Sequence, residues 1–101
     1  MQFTKKLRAP IARGEITCSV RIWQRPRVSV GKSYRLEGGF VVVDAIHQIE
    51  LGDITPTLAR DSGFAGVAEL LKVAKHGKGE NVYLVNFHYV SKLDAGEDSP
   101  D

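Results

Sequence analysis

Gly14-Glu15-Ile16-Thr17-Cys18-Ser19-Val20-Arg21-Ile22-Trp23 is the stretch on which the fold turns. From Ile16 the residues alternate in character. Ile16, Cys18, Val20 and Ile22 form one row, and Thr17, Ser19, Arg21 and Trp23 form the other. A period of two is the signature of a β-strand, whose side chains point alternately to opposite faces. The first row reads as a core face. The second lines two hydroxyls, a guanidinium and an indole along one side.

Working outward, Gly14 closes a helical segment in which Phe3, Leu7 and Ile11 recur every four residues, with Thr4 at the cap position. Pro10 lies inside it, and a proline there removes a hydrogen bond and crowds the preceding turn, which favours two short turns over one helix. Beyond Trp23, Gln24–Arg27 reads as a loop. Val28–Val30 and Ser33–Leu36 read as strands joined by a Gly31-Lys32 hairpin turn. Gly38-Gly39 marks a further turn. A β-branched strand starts at Phe40–Val43 and runs on toward Ile49 or Leu51, its imperfect alternation calling for a bulge.

Thr55-Pro56 starts a short helix that ends near Gly63. A second helix carries Val67, Leu70, Leu71 and Ala74, with Lys72, Lys75 and His76 at its end and Gly77 as its stop. Asn81–Val90 closes the series as a strand with Tyr83, Val85, Phe87 and Tyr89 on one face. The order predicts an α+β domain, a small curled, mostly antiparallel β-barrel with flanking short helices.

The chain has 101 residues, 43% of them hydrophobic and 26% charged, which predicts one globular domain over residues 1–90. Residues 91–101 form an acidic tail and are expected to be disordered. No apolar run approaches the ~18 residues of a membrane span, and the N-terminus lacks a signal-peptide core, so a cytoplasmic location is expected. One cysteine, Cys18, forms no intrachain disulfide. It falls on the apolar row, where a buried, inert thiol is expected. The three histidines His47, His76 and His88 have no metal-ligand spacing, so neither metal nor cofactor is expected.

The net charge of +2 conceals an asymmetry. Residues 1–35 hold nine lysines and arginines against one acid, a balance of +8, and residues 36–101 balance at −6. A one-sided basic third points to an anionic partner. Within it Arg21 offers a rigid fork of donors suited to phosphate or a base edge. Thr17 and Ser19 can donate to the same anion. Trp23 can stack on a nucleobase, and Arg25 and Arg27 extend a phosphate track. Lys5, Lys6 and Arg8 sit on the polar side of the first helix and can flank the cleft. The competing structural roles are an ion pair of Arg21 with Asp44 or Asp61, rim packing by Trp23, and a solvated helix face for the lysines.

The spacing of Gly14, Thr17, Ser19 and Arg21 resembles the signature of ASCH domains, in the PUA-like superfamily. Val30-Gly31, the helix end Asp61-Ser62-Gly63-Phe64 and the aromatic strand Val82–Tyr89 extend that resemblance over about residues 3–90. It implies a small β-barrel whose cleft is lined by the motif strand and which binds RNA, a nucleotide or a modified nucleoside. Some members are hydrolases, either amidohydrolases or ribonucleases. In those members a motif lysine and a hydroxyl on the same strand take part in the chemistry. Here the hydroxyls are Ser19 and Thr17, the lysine position is Ile16, and Thr55–Ala68 contains no glutamate. An aliphatic side chain neither moves a proton nor stabilises an oxyanion. The expectation is therefore a binding module. A hydrolase with an altered catalytic set is the second reading, and a protein-interaction domain the third.

Overall fold

The computed structural model describes residues 1–75 and 79–91 of the chain. In chain order it contains α1 (Lys5–Ala12), β1 (Cys18–Trp23), β2 (Ser33–Leu36), β3 (Gly39–Ile49), a 3₁₀ turn (Leu51–Asp53), α2 (Pro56–Asp61), α3 (Val67–Ala74) and β4 (Asn81–Ser91). The strands form one antiparallel sheet in the order β1-β4-β3-β2, curled into a half-barrel. Among the described residues the curl stops short of a closed barrel. β1 and β2 stand at opposite edges and pair only with β4 and β3. Beside β1, the chain leaving α3 makes a parallel bridge between Lys75 and Ile22, so that edge is partly occupied.

The pairing register shows which side chains share a face. Ser19, Arg21 and Trp23 stand opposite Val85, Tyr83 and Asn81, and Val43 and Val41 stand opposite Phe87 and Tyr89. The odd-numbered row of β4 foreseen from the sequence therefore lies on the same face as the polar row of β1. The core is built on this face: Val41, Val43, Val85 and Phe87 are buried there, in one cluster with Phe3, Leu7 and Ile11. The Phe3 and Phe87 rings meet at a centroid distance of 5.5 Å.

β3 bulges between Val43 and Ala45, where the alternation breaks. The extra residue, Asp44, stays exposed while both flanking runs keep their register on β4.

Helix ends follow their local chemistry. Thr55 Oγ1 accepts the Leu58 amide at 3.1 Å and Pro56 occupies the first helical position. Two helices end in the same closing motif. The amides of Gly14 and Glu15 donate to Ile11 and Pro10, and those of Gly63 and Phe64 donate to Arg60 and Ala59. Gly63 meets two demands at once, because its φ is +98° and a Cβ there would run into Leu7 and Ile16. α1 is a single helix despite Pro10. The burial of Leu7 and Ile11, worth about 1.5–3 kcal/mol each, offsets an interior-proline penalty of about 3 kcal/mol.

The hairpin is corrected. Val28–Val30 is not a strand. Val30 is 60% exposed, and the Lys32 amide turns back to the Ser29 carbonyl. Gly31 and Lys32 instead lead the chain onto β3 by backbone hydrogen bonds with Val43. The two-residue turn falls one position before Gly38-Gly39, at Glu37-Gly38, with φ of 52° and 86°. Positive φ at both central positions is the type I′ turn, which matches the twist of paired strands. Gly39 is then the first residue of β3, and a Cβ there would collide with the Tyr89 hydroxyl and the Val90 carbonyl. A glutamate at positive φ is strained by roughly 1–2 kcal/mol, and asparagine tolerates that position far better. Glu37→Asn is expected to raise the unfolding free energy by about 0.5–1 kcal/mol. The check is a higher denaturant midpoint at unchanged m-value; an unchanged midpoint would show the turn to be unstrained.

Among the described residues no helix is long and apolar enough to cross a membrane. The expected stop at His76-Gly77 and all of the acidic tail after Ser91 lie outside the described residues.

Candidate anion-binding cleft

Arg21 is 9% exposed, on the interior row of β1. The period-two alternation that makes this segment a strand also turns its guanidinium inward. Its Nε donates to Ser19 Oγ at 2.8 Å, one step back along the same face. Its Nη2 donates to the Gln2 carbonyl at 2.6 Å, and the group lies 4.9 Å from the centre of the Phe3 ring. Both acceptors are neutral. No carboxylate comes within ion-pair distance of Arg21 among the described residues, and Asp44 is taken by His88 Nδ1 at 2.9 Å. Burial holds the guanidinium's pKa down to about 10. The side chain is a cation kept dry without an anion, an arrangement that is costly unless something else uses it.

One cavity is lined by this arginine, and a second lies across Gln2 and Phe3 from it. The first, of about 200 Å³, is lined by Gln2, Ser19, Arg21 and Phe64, among others. A larger one of about 410 Å³ lies between the N-terminal segment and the β2–β3 turn. Arg8 and Arg35 line it together with Phe3, Leu36 and Glu37. Gln2 and Phe3 belong to both walls. Arg8 Nε donates to the Phe3 carbonyl at 3.2 Å, again a neutral acceptor.

The remaining sequence candidates are dispersed. Thr17 precedes β1, is exposed, and lines a third cavity with Cys18, Asp61 and Asn86 on the opposite face. Trp23 is 4% exposed and packs against Tyr83 at 6.1 Å, so its ring is core and not an open stacking surface. Arg25 and Arg27 are exposed in the loop after β1. Lys5 is exposed on α1, and Lys6 pairs with Glu69 at 3.2 Å, tying α1 to α3. Arg8 and Arg35, not the lysines, border the large cleft. The sequence signal for Arg35 was its place in the basic third, but only the correct turn position brings it to the cleft.

Ser19 Oγ is held by a guanidinium, which donates and takes no proton. A hydroxyl nucleophile needs a base. His47 and His88 stand on the other face of the sheet by register, opposite Leu84 and Val42. Cys18 Sγ lies 3.6 Å from Ser62 Oγ, and burial raises its pKa, which keeps it a thiol. Among the described residues no group of three or more histidines, cysteines or acids is placed to hold a metal. Compared with protein-family models, curated proteins and solved structures, the chain matches none, so its own side chains carry the functional reading.

Proposed function

We propose that the chain is a binding module for RNA or a nucleotide, in keeping with the ASCH-like spacing of its motif strand. The observation that carries this reading is Arg21, a buried cation without a carboxylate among the described residues, divided only by Gln2 and Phe3 from a cleft bordered by Arg8 and Arg35. Of the nine basic residues in the first 35, only Lys6 and Arg13 have carboxylate partners among the described residues. The other seven have no carboxylate partner among the described residues, which suits a polyanion more than a neutral ligand.

Binding of a short single-stranded RNA, followed by fluorescence anisotropy across a salt series, tests the reading. Affinity is expected to fall steeply with salt, because each phosphate contact on a single strand contributes a log–log slope of about −0.7. The Arg8→Ala/Arg35→Ala double variant is expected to bind about tenfold more weakly at low salt, with a slope shallower by about 1.4. No binding by the wild type at low salt would sink the proposal. A denaturing gel of the same samples is expected to show intact RNA; fragments that scale with protein would favour the hydrolase reading.

A further inference from the structure

We infer that Met1–Thr4 is a displaceable strap over a second, covered anion site at Arg21, opened when a phosphate-bearing strand enters the cleft. The inference rests on the binding reading above and adds where the ligand goes and what it displaces.

The strap is held by few groups. Its one deep anchor is the Phe3 ring, 7% exposed, against Phe87 and the Arg21 guanidinium. Gln2 and Thr4 are exposed, and Thr4 makes no side-chain cap to α1. Met1 packs partly buried against the core, and the remaining ties are three backbone carbonyls, Gln2 to Arg21, Phe3 to Arg8 and Thr4 to the Leu7 amide. Both arginines that grip the strap therefore bond neutral oxygens where an anion would be the stronger acceptor, since charge on both partners makes such bonds shorter and about twice as strong.

A guanidinium carries five N–H donors. Arg21 directs one from Nε to Ser19 and one from Nη2 to Gln2, and the side chain lines a cavity of about 200 Å³. Because Gln2 and Phe3 wall both this cavity and the 410 Å³ cleft, lifting them joins the two into one groove. That groove has Arg8 and Arg35 toward one end and the Ser19–Arg21 pair toward the other. Successive phosphates of a single strand can then occupy both ends. Arg21 Nη2 exchanges the Gln2 carbonyl for a phosphate oxygen, and Arg8 Nε exchanges the Phe3 carbonyl likewise. In the ligand-free chain the strap spares Arg21 from facing an empty cavity on every side.

The strap's position is read by ¹⁹F NMR on the full chain labelled with fluorophenylalanine, with the Phe3 signal assigned by Phe3→Leu. Without RNA the Phe3 fluorine is expected to show almost no H₂O/D₂O isotope shift. At saturation with a short single-stranded RNA it is expected to gain the shift of an exposed ring. A Phe3 fluorine that stays dry at saturation overturns the inference. In the anisotropy assay Arg21→Met is expected to bind about tenfold more weakly. Phe3→Leu is expected to bind a few-fold more tightly, because a weaker anchor lowers the cost of opening. RNA binding that depends on Arg8 and Arg35 but not on Arg21 would leave the binding module standing and remove the strap. Absence of any binding by the wild type would remove both.

Discussion

Arg21→Met is expected to stabilise the fold by about 1–3 kcal/mol, as found when well-packed apolar side chains replace buried charges. The reasoning starts from the desolvated guanidinium, whose pKa is lowered to about 10 by burial. That shift corresponds to a folding cost on the order of 3 kcal/mol at neutral pH. The contact with the Phe3 ring returns part of it, about 0.5–2 kcal/mol. Methionine keeps the length of the side chain and fills irregular space well. Ser19 and the Gln2 carbonyl lose a donor, which takes the gain below the full cost of burial. Denaturant unfolding at neutral pH measures the result; a variant less stable than the wild type would show that the arginine holds the fold together.

The pH dependence supplies a second check on the same residue. The folded chain holds the Arg21 proton less tightly than the unfolded chain. Between about pH 10 and the ordinary arginine range the unfolded state therefore binds more protons, and this group's contribution to stability rises with pH. The gap between Arg21→Met and the wild type is expected to narrow above pH 10, since the variant lacks this group. If Arg21 both lowers stability and raises RNA affinity as expected, it follows the usual trade-off between stability and function.

Phe87→Ala carries the opposite sign. Phe87 is 2% exposed, lies at the centre of the interior face and bears the Phe3 ring. Truncating a buried phenylalanine costs about 3–5 kcal/mol, through lost transfer energy and the cavity left behind. Total stabilities are about 5–15 kcal/mol, so this one change removes a large share. Thermal unfolding is expected to move down by at least 10 °C, at about 4–8 °C per kcal/mol for a domain of this size. A shift of only a few degrees would mean that Phe3 and its strap collapse into the gap, which would itself show that the segment is mobile on its anchor.

Most of the fold was legible where periodicity and punctuation agreed. The apolar spacing of Val67, Leu70 and Ala74, the Thr55-Pro56 start, the break in β3 and the aromatic row of β4 all form as read. The miss at Val28–Val30 has a physical cause. Two valines around Ser29 beside Gly31-Lys32 look locally like half a hairpin, but β3 pairs its edge with β2, and Val30 is left facing solvent. The site was legible in its chemistry and not in its geometry. Alternation placed Ser19 and Arg21 on one row correctly, yet burial on both faces of β1 is a property of the assembled sheet and of the residues before α1. Trp23 belongs to the same row, and for that reason it is sealed into the core instead of open to a base.

The strand order has a consequence for how the chain reaches this state. Among the described strands β4 comes last in sequence and lies inside the sheet, and it joins β1 to the β2–β3 hairpin. On the ribosome, every residue from Met1 to Glu80 emerges before a single hydrogen bond between β1 and the rest of the sheet can form. Contacts so distant along the chain bear their full loop-closure entropy before any burial offsets it. The nascent chain thus carries an unfinished apolar surface until β4 has been made, and the β2–β3 hairpin and the short helices are local enough to form earlier.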